Sequence, residues 1–419
     1  MFELQEGHRI MERAIRQFCE KEIAPHVEKM ESGELLPYDL MRKMADAFGI
    51  RKMGKELLEK ALAKAEEGGE GKEGKAKTRF GVPVSEEALD PMIMAVVGKE
   101  LCRVSPSFAL AFAASIGLCG QTIMAKGTVE QKRQYGIPVV TLDKVGCWGL
   151  TEPEAGSDAF ALRTIARPKD NGYVLNGSKI FITNAPYADV FVIYAKIDRG
   201  DEAKADKRRI YPFVMERGIQ GLSTSPPMKK MGMCGSPTGE IFLEDVFVTA
   251  DQLLGGEEKT SRDQAKEVLA SERTGAPFMC WGIIERCLDD CIKFAIERKQ
   301  FGKSLAEFQL IQEKIAKMFV QLENVKNLAF KQAWLQKNRK GTLEEFCAAK
   351  YYCSAAAVEV GLEAIQLMGG YGYMKEYHVE MLMRDAKLIQ IGGGTSEIQI
   401  LNIAKELFRK AGKEISLAG

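Results

Sequence analysis

The spacing at which apolar residues recur changes twice along this 419-residue chain, and that double switch constrains the fold more than any single motif does. From residue 1 to about 140 the spacing is helical, as in Leu4, Ile10, Met11, Ile15 and Phe18. Helices are expected around 4–23, 38–48, 86–103 and 107–125. From about 145 to 255 the chain turns to short runs rich in β-formers, at 173–175, 179–183, 190–196, 210–215 and 240–247. Asn176-Gly177, between the first two runs, is expected to form a hairpin turn. The helical period returns from about 261, in segments at 279–298, 307–337, 343–368 and 396–411. The expected fold class is therefore α+β, with an N-terminal helical domain at 1–144, a middle β-domain at 145–257 and a C-terminal helical bundle at 258–419.

One stretch stands apart, a charged insertion at about 55–79. Residues 57–65 read as a helical lead-in, and the Gly-rich, charged run that follows reads as a flexible surface loop at 66–79. Composition excludes several function classes. Fifty-nine basic against 58 acidic residues leave a net charge of +1, which argues against nucleic acid or a membrane surface as partner. No run approaches the roughly 18 consecutive apolar residues of a membrane helix. Glu3, Glu6 and Glu12 at the N-terminus do not suit a transit peptide, so a cytoplasmic location is expected. The ten cysteines are scattered without CxxC spacing and read as small buried hydrophobes. With only His8, His26 and His378 present, a histidine metal site or Ser-His-Asp triad has little support, and acid–base chemistry falls to a carboxylate.

The most informative stretch is GlyLeuThrGluProGluAlaGlySerAsp at 149–158, a strand running into a turn rich in hydroxyls and backbone N–H groups. LysIlePheIleThrAsn (179–184), ArgLysGlnPheGlyLys (298–303) and GlnLeuMetGlyGlyTyrGly (366–372) follow, and the chain closes on MetArgAspAlaLys and IleGlyGlyGlyThrSerGluIleGln (383–399). In this order and spacing the set resembles the acyl-CoA dehydrogenase family across nearly the whole chain. The resemblance implies FAD as cofactor, an acyl-CoA thioester as substrate, an electron-transferring flavoprotein as partner and a homotetramer. It implies that Trp148, Leu150 and Thr151 line the flavin ring, with Phe181, Ile182 and Thr183 closing its other side. Ser157 resembles the residue near the FAD and CoA phosphates. Arg298, Phe301 and Gln309, with Gln366, Gly369 and Gly370, resemble residues that reach a neighbouring subunit's FAD. Thr395 and Glu397 would meet the adenine-dinucleotide end, and Arg273 would orient the CoA-side loop. The implied reaction takes a proton from Cα with a carboxylate, passes hydride from Cβ to the flavin, and stabilises the thioester oxygen with fixed donors.

One departure matters. Many family members carry their base just before the Gly-Thr of the closing motif, where this chain has Gly393. Isovaleryl- and long-chain-type members place it instead on the helix that opens the C-terminal bundle, and Glu272 stands there in register. Glu272 is the candidate base, with Glu380 and Glu397 as the next residues to consider. The resemblance keeps the backbone N–H of Gly393 as an oxyanion donor, beside Gly394, and that role needs no side chain. A glycine at 393 frees volume near the substrate's Cα–Cβ bond, which suits branched, cyclic or aryl-substituted acyl groups. Glutaryl-type members carry an Arg for the distal carboxylate at the position of Ala109, so a dicarboxylate is disfavoured. A flavin oxidase of the same fold, and a non-catalytic relative that binds FAD or acyl-CoA, are the alternatives.

Overall fold

A computed structural model describes residues 3–67, 90–200, 210–256 and 262–413, apart from the side chains of residues 65, 67 and 262–272. The N-terminal helical period becomes α1 (Glu6–Phe18), α2 (Val27–Ser32), α3 (Tyr38–Ala47), α4 (Lys55–Glu67), α5 (Pro91–Val104), α6 (Pro106–Phe112), α7 (Gln121–Lys126), α8 (Val129–Gln131) and α9 (Ile137–Val140). Local chemistry fixes several starts. Asp90 accepts the Met92 N–H at 2.9 Å ahead of Pro91, and Ser105 accepts the Phe108 N–H at 3.2 Å ahead of Pro106.

The middle of the chain forms β1 (Gly146–Gly149), β2 (Ile165–Lys169), β3 (Gly172–Thr183), β4 (Val190–Ile197), β5 (Ile210–Glu216), β6 (Leu222–Thr224) and β7 (Thr238–Thr249). They make one sheet in the order β1-β4-β2-β3-β7-β6, with β5 on the other edge of β4. β4 is apolar at every position except Lys196 because both its faces are covered. Phe191, Ile193, Ala195 and Ile197 enter one core, and Val190, Val192 and Tyr194 enter the other.

The C-terminal part is built from α10 (Arg262–Glu297), α11 (Gln309–Asn338), α12 (Leu343–Met368), α13 (Val379–Ile389) and α14 (Ser396–Lys410). It shares a single apolar core with the N-terminal helices, from Ile15 and Met41 through Phe108 to Cys287, Val360 and Leu382. α10 crosses α5 so closely that a Cβ on Gly282 would collide with the carbonyl oxygen of Lys99. The ten cysteines are unpaired, nine of them buried, and burial pushes their thiols upward (Cys19 to about 12), as expected for packing residues.

The structure corrects four expectations. Asn176-Gly177 is no hairpin turn: β3 is continuous for 12 residues, and the pair sits at a register shift against β7. The two-residue turn lies earlier, at Asp170-Asn171, where Asp170 takes φ +50°. α10 begins well before 279 and runs through Pro277 for 36 residues. α13 was not foreseen, its short amphipathic pattern being hidden between glycine-rich turns. A stretch long and apolar enough to cross a membrane does exist among the described residues, Pro106–Lys126, whose apolar window is 61% buried within the protein. The expected lead-in at 57–65 lies within α4, while 68–79 of the expected loop lie outside the described residues.

Candidate functional site

The residues singled out from sequence gather in three groups. In the first, the ends of β1 and β3 lie side by side, and the Ile180 N–H donates to the Thr151 carbonyl at 3.0 Å. Beneath them Lys179, fully buried, donates to Glu152 at 2.7 Å and to the Leu150 carbonyl at 3.3 Å. Glu152 also accepts from Thr164 N–H at 2.9 Å, from the Thr164 hydroxyl and from Arg163 N–H. Burial pulls the Lys179 ammonium down to about 8 against the pull of Glu152. Burial likewise raises the Glu152 carboxyl, but the charge of Lys179 and the converging donors outweigh it and hold it below the usual range.

A register shift between Lys179 and Ile182 accompanies Phe181 in the left-handed region at φ +60°, the residue being 65% exposed. That conformation is costly for an aromatic residue and turns an apolar ring outward beside Thr151 and Thr183, both half-buried. Leu150 and Ile182, by contrast, are buried in the sheet cores, so only their backbones can face a ligand. Trp148 packs edge-on against Tyr194 and leaves its Nε1 buried without a partner among the described residues. Ser157 is exposed on the loop after β1. Asn184, missed in the sequence, pins the end of β3 by donating to the carbonyls of Ala111 (2.9 Å) and Gly146 (3.2 Å). Its only sequence signal was a polar residue closing an apolar run.

In the second group, Arg298 lies over the Tyr371 ring at 5.3 Å. Together with Phe294, Leu305, Gly369 and Gly370 they line an open concavity of about 490 Å³. Gly369, at φ +60°, ends α12, and Gln366 is exposed on its last turn. Phe301 is 93% exposed on a hairpin formed by β8 (Lys299–Gln300) and β9 (Lys303–Ser304), and Gln309 is exposed at the start of α11.

The third group surrounds the Gly392–Gly394 loop. Gly393 and Gly394 take φ +62° and +86°, and a Cβ on Gly394 would stand 2.8 Å from Gln399 Nε2 and 4.0 Å from Arg273 Nη2. Arg273 Nε is buried without a partner among the described residues. Glu272 precedes Arg273 in the backbone of α10, and its side chain lies outside the described residues. Lys350, 3% exposed on α12, donates to the carbonyls of Gly392 and Gly394, each at 2.5 Å, and Gln399 donates to Gly394 O at 2.7 Å. A lone lysine in the small-residue stretch CysAlaAlaLys was the available sequence signal for Lys350. The Thr395 hydroxyl caps α14 by accepting the Ile398 N–H at 3.3 Å. Glu397 is exposed, and its own N–H and the Thr395 hydroxyl hold its carboxyl below the usual range. Glu380 is held bidentate by Arg384 at 2.6 and 2.9 Å, so both its oxygens are engaged. The adjacent Asp385 is fully buried, accepts from Met233 N–H, and is pushed by burial up to about 8.

Sheet, bundle and glycine loop together define a protein of the three-part, helix–sheet–helix class. The acyl-CoA dehydrogenase family matches over all three parts: its N-terminal domain at residues 5–67 and 72–143, its middle domain at 147–246 and its C-terminal domain at 262–408. Isovaleryl-CoA dehydrogenase, mitochondrial, of Arabidopsis thaliana is 34% identical over 95% of this chain and 90% of its own. The CarC subunit of the caffeyl-CoA reductase–Etf complex of Acetobacterium woodii is 36% identical over 97% and 99%. The structure of butyryl-CoA dehydrogenase from Megasphaera elsdenii superposes with a TM-score of 0.82 at 33% identity, covering 98% of this chain and all of that one. The chain belongs to the acyl-CoA dehydrogenase family. It is an acyl-CoA dehydrogenase with FAD as cofactor. The strained, exposed Phe181, the unpartnered Trp148 Nε1 and the cleared concavity at Arg298 and Gly369 fit a large planar and anionic group of that kind.

Proposed function

We propose that this enzyme removes hydrogen from the α,β bond of a branched, cyclic or aryl-substituted acyl-CoA and passes the electrons to an electron-transferring flavoprotein. The observation that supports the reading is the approach of the Arg273 guanidinium to the Gly392–Gly394 loop, where a Cβ on Gly394 would stand 4.0 Å from Nη2, since residue 272 adjoins Arg273 on α10 and the loop itself has no carboxylate at 393. Glu272 takes the Cα proton there. The N–H of Gly393 donates to the thioester oxygen, where charge builds in the transition state. Trp148, Thr151 and Phe181–Thr183 frame the ring of FAD, which when bound accepts hydride from Cβ. Leu150 and Ile182 contribute backbone only. Ser157 lies toward the phosphates, and Thr395 and Glu397 toward the dinucleotide end. The names of the A. thaliana and A. woodii relatives, one branched and one aryl, support this substrate range, and the Etf complex of the latter supports the electron partner.

Arg298, Phe301, Gln309, Gln366, Gly369 and Gly370 serve the FAD of a second copy in a homotetramer. An aromatic side chain 93% exposed beside an arginine-lined concavity is the geometry that supports this arrangement. The purified protein is expected to be yellow, with about one FAD per chain, and to sediment as a tetramer. Phe301→Ser is expected to lower both FAD content and assembly. A flavin-loaded wild-type monomer would contradict the arrangement.

A further inference from the structure

We propose that Lys350 is a positioning residue that orients and strengthens the backbone N–H of Gly393 as donor to the thioester oxygen. The inference rests on the reading of Gly393 given above and extends it to a residue on another helix. Lys350 sits near the start of α12, almost wholly buried, and its ammonium reaches the two carbonyls that flank Gly393. Two charge-assisted bonds from one Nζ to alternate carbonyls hold a loop in which Gly393 and Gly394 take positive φ, a conformation with little intrinsic preference to keep it in place.

The direction of the donor follows from the peptide itself. In a planar trans peptide the C=O of one residue and the N–H of the next point opposite ways. With the Gly392 oxygen drawn onto Lys350, the Gly393 N–H points away from α12, and the same holds for Thr395 N–H behind the Gly394 oxygen. A cation on the oxygen also polarises the amide, so its N–H becomes a stronger donor by an increment of the kind found in hydrogen-bond chains. The side chain of Gln399, fully buried, holds Gly394 O from the other flank and accounts for the loop's position without supplying charge. Lys350 supplies both position and field. A fixed charge behind an oxyanion donor acts most where negative charge develops, which is on the transition state.

The test uses the FAD-loaded enzyme and two ligands: an enoyl-CoA with an extended conjugated acyl group, whose absorption moves to the red when its carbonyl is polarised, and an alkyl-CoA thioether of equal length that has no carbonyl. Lys350→Met is expected to keep one FAD per chain and to bind the thioether within about twofold of wild type. It should lose most of the red shift and lower kcat on the order of tenfold with little change in KM. That loss is smaller than the 10²–10³ that follows removal of an oxyanion donor itself. Lys350→Gln, a milder change that retains a neutral donor, is expected to keep part of the red shift and covers the case in which the methionine variant does not fold. A full wild-type red shift in either variant overturns the proposal. If wild-type enzyme itself gives no red shift while binding the enoyl-CoA, the Gly393 assignment fails and the role of Lys350 fails with it.

Discussion

Replacing Glu272 by Gln is expected to leave FAD content unchanged and to slow flavin reduction by a good acyl-CoA substrate by at least on the order of 10²–10⁴-fold. Glutamine keeps the shape and hydrogen-bonding capacity of the side chain and removes only the base. The structure sharpens the alternatives to Glu272. Glu380 is tied to Arg384, and Glu397 is exposed with its carboxyl stabilised in the charged form at the cap of α14. The exchange Glu272→Gly with Gly393→Glu should recover part of the rate. Recovery is limited because a glutamate at φ +62° bears a left-handed penalty of roughly 1–2 kcal/mol, and a 1 Å misplacement alone can cost on the order of 10²-fold. Rapid-mixing measurement of flavin bleaching decides the matter. A wild-type rate in Glu272→Gln would remove Glu272 from the mechanism.

The second large effect is on stability. Lys99 and Glu100, each 1% exposed, are 2.7 Å apart at the crossing of α1, α5 and α10. Glu285 lies 3.5 Å from the Lys99 ammonium, Glu12 also accepts from it, and it stands 4.9 Å from the Trp281 ring. Arg16 clamps Glu100 with two bonds of 2.9 Å, and Arg103 holds Glu285 at 3.0 Å and Asp289 at 2.9 Å. Burial alone would depress Lys99, but Glu285 and Glu100 outweigh it and hold the ammonium above its usual value. Lys99→Met would strip the central cation and leave Glu12, Glu100 and Glu285 with only Arg16 and Arg103 at their edges. The expected loss is about 3–5 kcal/mol, as when one partner of a buried pair is removed. Pairing it with Glu100→Leu should return part of that loss, since an apolar replacement of both charges leaves less uncompensated. Urea denaturation of the two variants checks this, and a loss under about 1 kcal/mol in Lys99→Met would show that the network is spread too widely for one member to matter.

The order of elements was legible because amphipathic period survives burial: α1, α3, α11 and α12 fall where the spacing places them. What could not be read was set by contacts distant in sequence. Asn176-Gly177 has the composition of a hairpin turn, yet β7 pairs with both sides of it and turns it into a bulge, so tertiary pairing overrode local preference. Leu150 and Ile182 sit within recognisable motifs, but their side chains are buried in the sheet cores. Lys179, Glu152 and Lys350 lie buried beneath the candidate site residues. A single charged residue in an apolar pattern says that something unusual is buried without saying what it meets. Only the fold shows that Lys179 meets the Leu150 carbonyl and that Lys350 meets the glycine loop.

The central claim is that a bound flavin and a carboxylate act together on the α,β bond of an acyl-CoA, and an anaerobic titration tests it most directly. FAD-loaded protein would be mixed with a panel of saturated straight-chain, branched, alicyclic and aryl-substituted acyl-CoAs, following the flavin absorbance and the thioester products. The account predicts bleaching of one flavin per equivalent of enoyl-CoA formed, strongest with the branched or ring-bearing members. A flavin that stays oxidised with every thioester in the panel, and is not reoxidised by any enoyl-CoA after chemical reduction, would contradict it.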